Sequence, residues 1–341
     1  MNAPRKDRPC LAFLVAAVVP LAGCGGSQNA LAPESHQARD IASLFWWMMG
    51  GAWVGLGLVV ALLLWSWKRH NRRGFGRDVE GDKPGEKRSW YAVVVLGIVM
   101  PIAVISTLFV VSDLFVIKTT QAPASTTTKL TVQVIGHQWW WEARYTNSGA
   151  VVANEIHIPV GKPVALRLDA VDVLHEFWVP ELGRKLTTVP GHPNHLWIQS
   201  DKPATYLGFC TEFCGTQHAW MHFLLVAEPR EEFEKWEQAQ LAPAPAPSSE
   251  NAQKGLALFE QMSCVNCHTI KGTIASATFG PDLTHFASRK QLGAGIVNNT
   301  PENLRRWLHD PQQIKVGAKM PNFKFTDEQV TQLADYIETL K

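Results

Sequence analysis

The segment Cys210-Thr-Glu-Phe-Cys214-Gly-Thr-Gln-His218-Ala-Trp-Met221 places two thiols, an imidazole and a thioether within twelve residues. Together these donors prefer soft or borderline metals such as copper. A mononuclear blue-copper site uses one cysteine, two histidines and a weak methionine, so the second cysteine suggests a second metal ion. Zinc fits less well, because Cys-x3-Cys is not a usual zinc spacing and methionine is not a usual zinc ligand. The spacing alone predicts a soft-metal site and leaves the number of ions open.

The metal motif lies in a segment with β-sheet periodicity. Apolar side chains alternate with polar or small ones from Leu130 to Val134 and again from Val164 to Asp169. This period of two, interrupted by proline and glycine, is typical of strands with one buried face. We therefore predict a β-sandwich or barrel over residues 129–230. A short helix and a semi-rigid linker, Leu-Ala-Pro-Ala-Pro-Ala-Pro-Ser-Ser, should follow over residues 231–250.

Two uncharged stretches predict a transmembrane hairpin over residues 41–118. Ile41 to Trp67 and Ser89 to Ser112 have no charged side chain, and each is long enough to cross a bilayer as a helix. The loop between them, residues 68–88, has eight basic and four acidic residues. The positive-inside rule therefore predicts a cytoplasmic loop. Both ends of the hairpin, and the chain after about residue 118, should be extracytoplasmic.

Residues 1–23 have the features of a lipoprotein signal peptide. A basic n-region precedes an apolar core from Leu11 to Val19, and the segment ends in Leu-Ala-Gly before Cys24. This ending resembles a bacterial lipobox, so we expect cleavage before Cys24 and lipidation of that cysteine. Residues 24–40 would then be a short N-terminal segment. An ordinary signal peptide with a chance cysteine is the alternative.

A second cofactor motif, Cys264-Val265-Asn266-Cys267-His268, has the pattern of covalent heme c attachment. Both thiols would bond to the heme, and His268 would be an axial ligand of its iron. The alternative is a thioredoxin-like redox pair, but no βαβ pattern surrounds the motif. Two local disulfides are the alternative for the cysteine pairs of both motifs.

The sixth iron ligand is predicted to be Met320, which stands in Lys-Met-Pro-Asn-Phe before the last helical segment. Met262 is too near the attachment motif to reach the opposite face of a heme. His285 and His309 are rivals that lie outside any matching motif. Methionine ligation raises the reduction potential relative to two histidines.

Helix signals surround this motif in residues 251–341. Thr300 precedes Pro301 at a predicted helix start, and Thr326 to Gln329 fits a capping box. The pattern predicts a small all-α domain, similar to a class I cytochrome c.

Three separated motifs resemble subunit II of the heme–copper cytochrome c oxidases over about residues 35–230. They are the metal run, the aromatic cluster Gly136-His137-Gln138-Trp139-Trp140-Trp141, and Asp172-Val173-Leu174-His175. The membrane hairpin precedes them, as in that family. The resemblance implies a membrane-anchored chain with a cupredoxin-like β-sandwich that holds a dinuclear copper (CuA) centre.

The resemblance also implies a role for each matched residue. The copper ligands would be Cys210 and Cys214 as bridging thiolates, His175 and His218 as one terminal ligand each, Met221 as a weak ligand, and Glu212 through its backbone carbonyl. The side chain of Glu212 would bind magnesium at the interface with the catalytic subunit. Trp139 would be the residue through which electrons reach the copper pair.

Several other residues have ordinary explanations. His222 could mimic a zinc pair with His218, and His192 and His195 lie close together on a loop. We interpret these three as ordinary polar residues. Asp172 could serve donor docking or turn chemistry, and both readings stay open. Glu86 matches a proton-uptake glutamate of the family only roughly, so it receives no proton role.

Together the domains resemble a caa-type subunit II with a fused cytochrome c domain. The resemblance implies electron transfer from a cytochrome donor, either cytochrome c or its reductase, through heme c and the copper pair to heme a of subunit I. Oxygen reduction and proton pumping would occur in subunit I, so the chain would be an enzyme only within a complex with other subunits. The resemblance also implies a bacterial inner-membrane protein with both cofactor domains in the periplasm.

Three other functions fit less well. A quinol oxidase subunit II has no copper ligands, a nitrous-oxide-reductase-like enzyme needs a large second catalytic domain, and a copper assembly factor needs no heme. Nucleic-acid binding has no support, because the net charge is only +2 and no basic stripe lies outside the membrane-flanking loop.

Overall fold

The computed structural model describes residues 28–72, 86–118 and 130–341. The predicted signal peptide (1–23), Cys24, the greater part of the 68–88 loop and the side chain of Glu86 lie outside the described residues.

Two long helical segments form the predicted hairpin. The first is α1 (His36–Arg72); the second consists of α2 (Glu86–Val94), a π-helical turn (Val95–Val99), α3 (Met100–Val111) and a second π-helical turn (Ser112–Ile117). Residues His36–Arg69 and Trp90–Leu114 are long and apolar enough to cross a membrane, and their most apolar stretches are not buried against the rest of the chain.

The first helix begins at His36 rather than at Ile41 because its start packs on the β-domain. The hydroxyl of Ser35 donates to the carbonyl of Leu182 (2.7 Å) and accepts from the amide of Ala38 (3.0 Å). Ser35 thereby caps the helix and fixes it to the domain at once. The polar side chains before the membrane stretch therefore belong to the helix.

Ten strands form the predicted β-sandwich. They are β1 (Thr131–His137), β2 (Trp140–Tyr145), β3 (Val151–Ala153), β4 (Glu155–Pro159), β5 (Val164–Ala170), β6 (His175–Trp178), β7 (Leu186–Thr188), β8 (Asn194–Ile198), β9 (Ala204–Cys210) and β10 (His222–Glu228). One sheet has the order β3-β2-β1-β5-β8, and the other has the order β4-β10-β9-β6-β7.

The core lies between the two sheets. Val132, Val134, Leu166 and Leu168 are buried there, as the alternation predicts. Trp141 is fully buried, and its ring lies 5.6 Å from that of Phe223 in the facing sheet (centroid to centroid). This aromatic packing, at the usual range for edge-to-face pairs, anchors the end of the sandwich where the candidate ligands lie.

The C-terminal domain (residues 250–341) is small and mainly helical. Its elements are α5 (Glu250–Gln261), β11 (Gln291–Leu292), β12 (Val297–Asn298), α6 (Pro301–His309), α7 (Pro311–Ile314) and α8 (Asp327–Ile337). Thr300 caps α6, and Thr326 and Gln329 form the predicted capping box of α8. Helices α5 and α8 pack together, with Phe259 and Tyr336 in edge-to-face contact.

The C-terminal domain packs directly on the sandwich, to which α4 (Arg230–Ala239) and the linker connect it. The amide of His222 donates to the carbonyl of Ala294 (3.0 Å), and the amide of Lys290 donates to the carboxylate of Glu155. The linker is bound as well, since the amide of Ala244 donates to the carbonyl of Lys271 (2.9 Å). The two domains therefore share an interface of backbone and side-chain hydrogen bonds.

Candidate metal centres

Strand pairing brings the distant histidine to the metal motif. His175 is the first residue of β6, and Cys210 is the last residue of β9. These strands are antiparallel neighbours in which Phe177 pairs with Cys210. His175 therefore lies beside the start of the loop from β9 to β10, which contains the other predicted ligands.

The predicted donor atoms form one continuous chain of contacts. The Sγ atoms of Cys210 and Cys214 are 3.8 Å apart, and Cys210 Sγ is 4.0 Å from Nδ1 of His175. Cys214 Sγ is 3.7 Å from Nδ1 of His218 and 3.8 Å from Sδ of Met221. A sixth donor, the carbonyl oxygen of Glu212, lies 3.2 Å from Cys210 Sγ. The structure thus brings all six predicted ligands together.

These spacings fit a metal site and do not fit a disulfide. A disulfide needs sulfur atoms about 2.05 Å apart, and both thiols are free. Donor separations of 3.7–4.0 Å match the edge of a tetrahedron around a metal with bonds of about 2.3 Å. Cys210 and Cys214 lie in the middle of the chain of donors, between the two histidines, so both thiolates would be available to more than one ion. The residues present therefore fit a dinuclear copper centre.

Asp172 orients His175. Its Oδ1 accepts from Nε2 of His175 (2.9 Å), and its Oδ2 accepts from the backbone amide of Gln138 (2.7 Å). Burial raises the pKa of Asp172, but the hydrogen bonds from His175 and from backbone amides outweigh it and lower the pKa to about 2. Nε2 then bears the proton, and Nδ1, which lies beside Cys210 Sγ, would be available to a metal ion. Asp172 thus has a third role, orientation of His175, beside the donor docking and turn chemistry that the sequence left open.

The two cysteines are electrostatically unlike in the metal-free chain. A hydrogen bond from the thiol of Cys214 lowers the pKa of Cys210 and, with His175 nearby, outweighs the effect of burial. The same contact raises the pKa of Cys214, because a second thiolate beside the first is disfavoured. A metal ion would remove this asymmetry by binding both thiolates.

Trp139 is bonded to the metal loop. Its indole Nε1 donates to the backbone carbonyl of Cys214 (3.0 Å), and the side-chain amide of Gln138 donates to the same oxygen (2.8 Å). The predicted electron-accepting residue is therefore one hydrogen bond away from a predicted copper ligand. The role of Gln138 was not foreseen from the sequence.

An apolar cavity in the C-terminal domain contains the predicted heme residues. Cys264, Cys267, His268 and Met320 all line it. Aromatic and aliphatic side chains form most of the rest of the wall, including Phe259, Phe279, Leu304, Trp307 and Leu333. Two free thiols, an imidazole and a thioether facing an apolar cavity fit a covalently bound heme c.

The orientation of His268 also fits an axial ligand. Nδ1 of its ring lies 2.8 Å from the carbonyl of Pro281, so Nδ1 bears the proton and Nε2 is available to iron. Gly280 makes this possible, because a Cβ at that position would lie 2.6 Å from Cε1 of His268. Gly280 thus leaves room for the ring, and the carbonyl of Pro281 accepts its hydrogen bond.

The rival sixth ligands lie elsewhere. Both ring nitrogens of His285 face backbone carbonyls, those of Lys341 and Ala242. His309 is exposed and lines a different surface pocket. Met320 lines the heme cavity, and its Sδ accepts from the indole of Trp307 (3.2 Å).

The other histidines that the sequence raised do not join the sites. His192 and His195 are exposed and belong to no metal-binding cluster within the part of the chain that the structure describes. His222 lies in β10, where its amide bonds to the C-terminal domain.

The sandwich forms part of the wall of the heme cavity. Gln138, Trp139, Trp140 and Asn154 line it together with residues of the C-terminal domain. Lys315 also lines it, although it is 4% exposed and its ammonium points into the interface. Nothing in the local sequence distinguishes this lysine from a surface lysine, so sequence reasoning missed it.

Comparisons with known proteins identify both domains. The periplasmic domain of cytochrome c oxidase subunit II matches residues 148–228, and the cytochrome c family matches residues 252–341. The chain is 30% identical to cytochrome c oxidase subunit 2 of Bacillus sp. strain PS3 over 277 residues, which are 78% of this chain and 76% of that protein.

A second relative and a solved structure are similar to parts of the chain. The chain is 41% identical to the corresponding subunit of Alkalihalophilus pseudofirmus over 211 residues, 62% of this chain and 61% of that protein, so the match spans less than two thirds of its length. It is 27% identical to the periplasmic domain of cytochrome oxidase subunit II of Bradyrhizobium japonicum, covering 33% of this chain and 94% of that one with a TM-score of 0.33.

Proposed function

The chain belongs to the cytochrome c oxidase subunit 2 family, and we propose that it is the form of this subunit whose own cytochrome domain delivers electrons to a copper pair. Bound heme c and copper would supply one-electron redox chemistry on the path from a cytochrome donor to heme a of subunit I, where oxygen is reduced and protons are pumped. The chain's own residues hold, orient and connect these two groups.

The observation that supports the proposal is the double role of Trp139. This residue lines the heme cavity and also donates a hydrogen bond to the carbonyl of Cys214. One residue therefore lies at both sites. The proposed copper ligands are His175, Cys210, Glu212, Cys214, His218 and Met221, and the proposed heme residues are Cys264, Cys267, His268 and Met320.

The proposed location is the bacterial inner membrane, with both domains on the periplasmic side. The two exposed apolar helices and the basic loop between them support this topology. Subunit I and further oxidase subunits are the proposed partners. Lipidation of Cys24 and binding of magnesium by the Glu212 side chain stay predictions.

Metal and heme analysis of the purified full-length chain tests the proposal. We expect two copper ions and one covalently bound heme per chain. Cys214→Ser should abolish the copper absorption and leave the heme in place, whereas the double variant Cys264→Ser/Cys267→Ser should do the reverse. After rapid reduction of the heme, the copper should become reduced in the same molecule. A single tightly bound zinc ion, or heme that separates from the chain on denaturation, would contradict the proposal.

A further inference from the structure

A buried lysine crosses the interface between the two domains. Lys315 belongs to the C-terminal domain, yet its Nζ donates to the carbonyls of Trp139 (2.9 Å) and Trp220 (3.0 Å) in the sandwich. The third acceptor is the carbonyl of Gly293 in its own domain (2.8 Å). We propose that Lys315 is a positioning residue, whose ammonium fixes the heme cavity against Trp139 by binding carbonyl oxygens of both domains. This inference deepens the proposed function and rests on it.

The three carbonyls match an ammonium group. An ammonium has three N–H donors, whereas a neutral amine has two, so only the charged form satisfies all three acceptors. Burial lowers the pKa of Lys315 to about 7, and the three acceptors oppose that shift by favouring the charged form. Removal of the ammonium would leave three buried carbonyls without this donor, which costs more than the hydrogen bonds themselves contribute.

Both acceptors in the sandwich belong to residues next to proposed copper ligands. The indole of Trp139 bonds to Cys214, and Trp220 directly precedes the proposed ligand Met221. One cation thus ties the cytochrome domain to the turn that contains Trp139 and to the loop that ends at Met221.

The backbone around Lys315 is fixed in turn. Lys315 follows α7, and its amide donates to the carbonyl of Pro311 (2.8 Å). The side-chain amide of Gln312 donates to the carbonyls of Ala318 (2.8 Å) and Met320 (3.0 Å). The loop that presents the ammonium therefore also holds the proposed sixth iron ligand.

Hydrogen exchange in the full-length chain can measure docking without any electron transfer. The amides of His222 and Lys290 donate across the interface, so their exchange reports separation of the domains. We expect Lys315→Met to accelerate exchange at both amides by about tenfold or more, since charge-assisted hydrogen bonds to the sandwich are lost. Lys254→Met is the matched control, because Lys254 is a lysine of the same domain in an exposed pair with Glu250; it should exchange as wild type.

Rescue of Lys315→Ala by an added ammonium compound distinguishes a positioning role of the Lys315 cation from a merely structural role of its side chain. Lys315→Ala should also exchange faster, and propylammonium, which restores the missing cation, should slow exchange again, whereas 1-propanol should not. In the same variants, electron transfer from reduced heme to copper should slow and recover in parallel. If Lys315→Ala does not fold, Lys315→Met still decides the point.

Three results would overturn the inference. They are wild-type exchange in Lys315→Met, equal rescue by propanol, and faster exchange throughout α8, which would mean that the C-terminal domain itself had lost its fold. Failure of the proposed function looks different. In that case wild-type protein lacks the copper, the heme or the transfer between them, while the exchange at the two interface amides still tests Lys315.

Discussion

Gly136→Ala should damage the proposed copper site without replacing any of its proposed ligands. Gly136 lies in β1, paired with Trp141 in β2 and Ala170 in β5. A Cβ at this position would lie 2.6 Å from Cδ2 of His175 and 3.0 Å from its Cγ. Ordinary carbon contacts are about 3.5–4.0 Å, so the shortfall is about 1 Å. Because neighbouring strands hold β1 on both sides, the ring of His175 must move.

The expected cost has two parts. Overpacking of this kind lowers the free energy of unfolding by about 1–3 kcal/mol. Displacement of His175 also strains its bond to Asp172, and loss of such ligand orientation lowers metal affinity by about 10–100-fold. The variant should therefore lose copper to a chelator at concentrations at which the wild type retains it.

The assay is the copper-to-heme ratio after dialysis against increasing concentrations of a chelator. The covalently bound heme serves as the measure of the amount of protein. Ala143→Val is the matched control, since Ala143 is buried in the same sandwich core and the change overpacks it. This control should lower the melting temperature and keep the copper. The reasoning fails if Gly136→Ala keeps a wild-type ratio, or if Ala143→Val loses copper equally.

Two further perturbations test the surroundings of the sites. Gly280→Ala would place a Cβ 2.6 Å from Cε1 of His268, so we expect a changed heme absorption spectrum with the heme still attached to the chain; an unaltered spectrum would contradict this. Burial raises the pKa of Glu142, but contacts with His137 and Arg144 outweigh it and lower the pKa below 4.5. Glu142 thus contributes stability above pH 4.5 that is lost as the pH falls through its folded pKa. In thermal melts across pH, Glu142→Gln should therefore lose less stability on acidification than the wild type does. Parallel pH curves for the variant and the wild type would refute the assignment.

Local patterns predicted the features that depend on local interactions. The caps at Thr300 and Thr326 need only neighbouring amides, so their sequence signals matched the structure. The alternation in β5 identifies its buried face because side chains in a strand alternate by geometry. The spacing of Cys210, Cys214 and His218 within one loop likewise brought those donors together.

Other features depend on pairings between distant segments, which spacing does not encode. His175 stands 35 residues before Cys210 in the sequence, and only the pairing of β6 with β9 brings the two together. The resemblance supplied this ligand, whereas periodicity did not. The start of α1 was missed for the same reason, since Ser35 is ordered by the distant carbonyl of Leu182.

The interface between the domains was the least predictable feature, and its construction has a mechanical consequence. Lys315 and Met320 lie on one loop, which Gln312 cross-links through the carbonyls of Ala318 and Met320. Lys315 also bonds to the carbonyl of Trp139. Displacement of the C-terminal domain should therefore strain the loop that contains Met320. We therefore expect docking of the domains and placement of the proposed iron ligand to be coupled, because the same loop bonds to Trp139 and holds Met320.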